Sequence, residues 1–343
     1  MDNTNWPDYS NTLIYKMKVA VLINDNFVFI LGMFLNILVV KICSKIKMPE
    51  FQEYKRLLML VACSDIFFTL TIGAVMNMME PGKKHLVIWP IGPIRYLPEP
   101  FILLLSLSHM FLFMFTVSNN FIVFMFRYLI IVKNKRLSTS NFAAIICLSI
   151  LWNVIGYVTW LIDINKTTPD QYALITNSMA PEYFYAVDGK RLPCYIINPF
   201  RVTGAVVILY SSLTVSIVFV GVVFSIIGIK RKLHDLRHIM SEKSKKLETQ
   251  LNLCLIINAF SPLFISFTPI LFLFTSVLFE IDLHGYGHLL FLILVWVDIC
   301  NPIVAIVMVG PCFEEFCNIF RITYFKKKQV VVSPTSIFPS SNI

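Results

Sequence analysis

Charge is what this sequence is short of. Asp, Glu, Lys and Arg make up 14% of its 343 residues, against about 25% in a soluble domain. With 57% hydrophobic residues, 30 phenylalanines and a mean hydropathy of +0.73, the shortage excludes an ordinary soluble chain and leaves a membrane protein. Catalytic motifs are missing too. There is no His-Glu-x-x-His, no Gly-x-Ser-x-Gly and no P-loop, so the chain is read as a non-enzyme without a cofactor. The last apolar run has no lysine, which excludes a retinal Schiff base there. The eight cysteines keep no metal-type spacing and mostly fall inside apolar runs, where they act as small packing residues. Residues 1–20 are polar and include Asp2 and Asp8, so no cleavable signal peptide is expected.

What is present is a series of long apolar runs. A helix of about 20 apolar residues crosses a bilayer core of roughly 30 Å. Seven runs qualify, near 26–43, 57–78, 101–126, 142–162, 202–229, 251–279 and 289–309. The expected fold is all-α, a seven-transmembrane helix bundle in one domain over residues 1–343, with a tail from 310 to 343 that starts amphipathic. The longest connection, 163–201, is too short for a separate domain.

Of the 29 Lys and Arg, 20 lie in 41–56, 127–141, 230–250 and 310–343, and 9 in the alternate loops and the N-terminus. The positive-inside rule then puts the N-terminus outside and the C-terminus inside. The same rule accounts for the +9 net charge without nucleic acid; the partner is the lipid bilayer. Asn165-Lys166-Thr167 is a glycosylation sequon in a loop expected outside, either used or too near the membrane to be used.

Span three carries the most information. From Phe101 to Met125 it has no acid, lysine or arginine and one histidine, yet it is studded with Ser106, Ser108, His109, Thr116, Asn119 and Asn120, and Arg127 follows. Such a helix suits the centre of a bundle. His109 and Arg127 are 18 residues apart, about five turns, so they share a face about 27 Å apart along the axis. Ser106, His109, Met110 and Phe113, with Ser266, Phe267, Ile270 and Phe291 from spans six and seven, describe a mostly apolar pocket open to the outside; the alternative for His109 is an interhelical hydrogen bond.

Ionisable groups inside a membrane are costly and mark function. Asp65 and Asp298 lie at depth. Asn301 is three residues beyond Asp298 and shares its face. With Asn36, Thr116 and Asn120 they form an expected polar cluster, holding either a cation such as Na⁺ at Asp65 or waters. Pro262, Pro269 and Pro302 interrupt the helix ladder and are candidate hinges. A transporter or ligand-gated ion channel is the alternative function, but no inverted repeat shows in the hydropathy.

Phe126-Arg127-Tyr128, Val61-Ala62-x-x-Asp65, Trp152 and Asp298-x-x-Asn301-Pro302 together resemble the rhodopsin-like G-protein-coupled receptors. Ser244-Lys245-Lys246-Leu247-Glu248-Thr249-Gln250-Leu251, then Asn258, Pro262 and Pro269, is similar to the sixth span of nematode serpentine chemoreceptors of the Str/Srd/Srh superfamily. Gly92-Pro93-Ile94-Arg95-Tyr96-Leu97-Pro98 is similar to a stretch of the Srd members. The resemblance implies a receptor on the ciliary membrane of sensory neurons. It would couple an odorant-like small molecule outside to a heterotrimeric G protein inside. Arg127 and Tyr128 would form the switch, and Cys312 or Cys317 would be either palmitoylated or buried thiols. The chain departs from the pattern in three places. Phe126 replaces the acid before the arginine, Ala305 stands where a tyrosine is expected after Pro302, and Ile94 replaces the cysteine that would pair with Cys194. Lacking a neighbouring acid, Arg127 would rest on Glu242, Glu248 or a lipid phosphate.

Overall fold

The structure is a computed structural model that describes residues 9–48, 51–82, 84–135, 138–236, 242–262, 264–265, 268–281 and 283–322. Helix α1 runs Leu13–Lys45 and α2 runs Gln52–Val75, where Met76 turns the chain through a left-handed conformation (φ 47°). Two strands follow, β1 at Asn77–Gly82 and β2 at His85–Pro90. Helix α3 spans Glu99–Ile131, α4 Thr139–Asn165, α5 Pro169–Ser178. Strand β3 is Tyr195–Ile197 and α6 is Val202–Leu236. Then come α7 (Glu242–Pro262), α8 (Thr268–Leu278), α9 (Gly287–Leu294), α10 (Val297–Met308) and α11 (Gly310–Ile319).

The helices begin where side chains satisfy their first free amides. The Thr12 hydroxyl accepts from Tyr15 N, Ser138 from Asn141 N, and Thr168 with Gln171 forms a capping box. Six helical stretches among the described residues are long and apolar enough to cross a bilayer. The remaining expected span, 251–279, appears as α7 and α8, with Phe264 and Ile265 between them in a π-helical conformation. The change of helical geometry falls between the two prolines, since α7 ends at Pro262 and Pro269 is the second residue of α8. Span seven breaks elsewhere. Pro302 sits inside α10, and the chain tightens at Val295–Trp296, where Trp296 N donates to Ile293 O.

Helix α3 touches α2, α4, α6 and α7 and is the hub of the bundle. Peripheral α4 turns Leu148, Leu151 and Ile155 outward, toward what lipid would cover.

Two expectations need correction. Helix α1 starts thirteen residues before residue 26, so Lys18 and Asp25, both buried, also lie on it. The bundle is helical, but one end bears a three-stranded antiparallel sheet in the order β1–β2–β3, with Asn77 opposite Pro90 and Val87 opposite Ile196. The strands are buried on both faces and so lack the alternation that marks a half-exposed strand. Pro81, which cannot donate to a ladder, sits on edge strand β1. Gly92 closes the sheet onto α2: a Cβ there would stand 2.5 Å from the Ala74 carbonyl. Trp89, Tyr183, Phe184 and Leu192 give this cap its own apolar core. Lys18 staples it to α1, its Nζ donating to the carbonyls of Glu182, Tyr183 and Tyr185 at 2.5, 3.1 and 2.5 Å.

Candidate functional site

The site is a column along α3 with three levels. Nearest the cap is a small cavity of about 40 Å³, lined by Met79, Leu86, His109, Met110, Phe113, Met114, Trp160, Ser211, Leu273, Phe274 and Leu294. Of the residues expected here, His109, Met110 and Phe113 line it. Ser106 is buried with no partner for its hydroxyl among the described residues and does not line it. Ser266 and Phe267 lie outside the described residues, as do the side chains of Ile270 and Phe291. The cavity was expected to open outward; Met79 of β1 and Leu86 of β2 contribute to its lining. His109 is held by Thr71, whose Oγ1 lies 3.1 Å from Nδ1, and by the Phe68 ring at 5.0 Å.

Sequence reasoning missed several of these residues. Thr71 lies one and two-thirds turns past Asp65, which gives it no shared face to flag it. Met79 and Leu86 are brought in by strands with no period-two signal. Trp160 carried one signal, as a large aromatic two turns beyond Trp152.

The middle level is polar. Asn301 Nδ2 donates to Asp65 Oδ2 at 3.0 Å, Thr69 Oγ1 lies 2.7 Å from both Asp298 Oδ2 and the Asp65 carbonyl, and Asn36 Nδ2 donates to the Asp298 carbonyl at 3.1 Å. Asn119, rather than the expected Asn120, reaches α2, donating to Ser64 Oγ at 2.8 Å. One residue is about 100° of helix, so only one of the two can face α2. Thr69, one turn after Asp65, shares its face by a spacing visible in the sequence. Asp65 Oδ1, Asp298 Oδ1, Asn301 Oδ1, Asn119 Oδ1 and Thr116 Oγ1 are buried without a partner among the described residues. An all-oxygen set fits a hard cation such as Na⁺, or ordered water. No group of three His, Cys, Asp or Glu suited to a metal occurs among the described residues.

At the far end, Arg127 is buried. Its Nη2 donates to Glu248 Oε2 at 2.5 Å and its Nη1 to Asn252 Oδ1 at 2.9 Å, and its guanidinium stands 5.8 Å from the Tyr54 ring centre. Glu242 is not part of this site; it is exposed and bonds Lys245 at 2.6 Å. Six residues before Glu248, it lies about 9 Å further along the axis on another face. Tyr128 packs against Phe224 of α6 at 5.5 Å. The helices approach closely there, since a Cβ on Gly228 would stand 2.6 Å from the Tyr128 ring. Gln250 accepts from Gly310 N at 3.3 Å, linking α7 to α11. On α11, Cys312 and Cys317 are both buried, so acylation of either would require it to leave its packed position.

Two further points concern the cap end. Asn165, the sequon residue, is exposed at the last turn of α4. Cys194 has no disulfide; burial pushes its thiol up to about 11.

The family model for serpentine-type seven-transmembrane G-protein-coupled chemoreceptors, Str, matches residues 22–327. A crystal structure of squid rhodopsin superposes with a TM-score of 0.57 at 13% identity, covering 94% of this chain and 90% of that one, a likeness of fold. No curated protein matches the sequence.

Proposed function

The chain belongs to the serpentine Str family of seven-transmembrane chemoreceptors, a multi-pass membrane receptor family, and from that premise we propose that it senses an external small molecule and activates a heterotrimeric G protein. In this reading the cap and N-terminus face outward, the C-terminus lies in the cytoplasm, and the receptor works on the ciliary membrane of sensory neurons.

What carries the reading is the continuity of the column on α3. A cavity beside His109, a polar network beside Asn119 and a paired arginine all sit on one helix, and α7 supplies the partners at the arginine end. A ligand in the cavity shifts the receptor only if it binds two states unequally. The second state has α7 swung about the segment between Pro262 and Pro269, Arg127 released from Glu248 and Asn252, and Tyr128 with the α3–α4 and α6–α7 loops exposed to the G protein. Na⁺ or water beside Asp65 belongs to the resting state, and the Val295–Trp296 turn next to Asp298, with Pro302 beyond it, lets span seven adjust.

The test is Arg127→Ala, assayed at equal surface expression with a stimulus that excites the wild type. Evoked G-protein activation should fall by at least about tenfold, a loss of about 1.4 kcal/mol of coupling. An undiminished response would remove Arg127 from the switch.

A further inference from the structure

The cavity chemistry carries one more step. The Thr71 hydroxyl has a single proton and gives it to the carbonyl of Phe68 at 2.7 Å. The arrangement that keeps both bonds has the hydroxyl oxygen accepting and Nδ1–H donating in the 3.1 Å contact with His109. A neutral imidazole carries one N–H, so Nε2 is left with a bare lone pair and no partner among the described residues. Ser211, the other polar lining group among the described residues, donates to Val207 O at 2.9 Å. The other described walls are carbon, sulfur and aromatic ring. An acceptor on an otherwise apolar wall without a donor costs free energy that a ligand can recover.

We propose that the cavity is selective for a small neutral molecule with one O–H or N–H donor on an apolar frame, the donor bonding His109 Nε2. About 40 Å³ has room for about three water-sized spheres, which corresponds to about four to six heavy atoms. Thr71 is the positioning residue that fixes the tautomer. The inference rests on the cavity being the ligand site, and the experiment separates failure of that premise from failure of the donor rule.

Full-length chain in nanodiscs is titrated with n-butanol and with methyl propyl ether, its isomer without a donor, and Kd is read from the rise in Tm. Wild type should bind butanol about tenfold more tightly than the ether, the worth of one hydrogen bond to an otherwise unpaired group. His109→Phe should bring the ratio to about one, and Thr71→Val, which keeps the imidazole but frees its tautomer, should lower it. Leu294→Trp should remove both ligands by filling the cavity. Equal affinities in wild type, with binding still lost in Leu294→Trp, overturn the donor rule and leave the cavity as the site. Binding that Leu294→Trp does not change, or no binding by either probe, overturns the cavity and the donor rule together.

Discussion

The two buried cores of this molecule are joined in different ways. In the bundle, polar side chains on separate helices bond one another directly: Asn301 with Asp65, Thr69 with Asp298, Asn119 with Ser64, Arg127 with Glu248. In the cap core, several buried side chains bond backbone. Lys18 reaches three carbonyls, Glu80 accepts from Gly285 N at 2.7 Å, and His288 Nδ1 lies 3.0 Å from the Met79 carbonyl. The contrast follows from what each region must satisfy. Membrane helices meet their own backbone needs, which leaves polar side chains at depth to choose partners on other helices. An irregular cap leaves carbonyls that need donors, and buried Lys18 supplies three from one amine.

The contrast breaks most visibly at Trp89, which is 1% exposed and packs on Tyr183 at 5.4 Å and on Phe184 at 5.8 Å. Trp89→Ala should cost about 3–5 kcal/mol, confined to the cap. Hydrogen exchange should speed in 77–90 and 195–197 and stay unchanged in α2 and α3 near Asp65 and Arg127. Equal loss of protection at both ends would mean the two cores are one cooperative unit.

The arginine end tests the other half of the comparison. Arg127 is 5% exposed and Glu248 28% by side chain, so the pair is partly screened and contributes about 1 kcal/mol. Glu248→Lys should raise basal G-protein activation roughly fivefold, read without stimulus at equal surface expression, while Glu242→Lys should leave it unchanged. If both variants behave alike, the contact is packing rather than a lock.

These differences explain what the sequence could convey. Asp65, Asp298, Asn301 and Arg127 announce themselves because a polar residue in an apolar run has one economical explanation, a partner at the same depth. Asn119 against Asn120 turns on one helical step, finer than a hydropathy argument resolves. The cap left almost no trace. Its strands, NMMEPG and HLVIWP, lack alternation and lack the Asn-Gly or Asp-Gly turn that signals a hairpin, and β3 joins from more than a hundred residues away. Lys18 was equally silent, because a lysine near the chain start reads as solvated until the carbonyls of residues 182–185 are folded over it.

The smallest expected effect lies on the cap's outer surface, where a conventional ion pair should behave unlike the buried staple beneath it. Asp188 accepts from Arg95 Nη2 at 3.0 Å and from the Tyr96 hydroxyl. Partial burial pushes its carboxyl up, but the bonds from Tyr96 and Arg95 outweigh that and hold it at about 2. Since the folded value is lower than the ordinary 3.8, the tie contributes fully above about pH 4 and is lost as pH falls toward 2. With the Asp188 side chain 37% exposed, solvent screening keeps the contribution under about 1 kcal/mol. A carboxyl carbon NMR titration of Asp188 should give a midpoint near 2, and Arg95→Gln should move it back toward the ordinary range. A wild-type midpoint already in that range would mean that Arg95 and Tyr96 do not hold the turn, leaving the cap fastened from within, by Lys18 and the sheet.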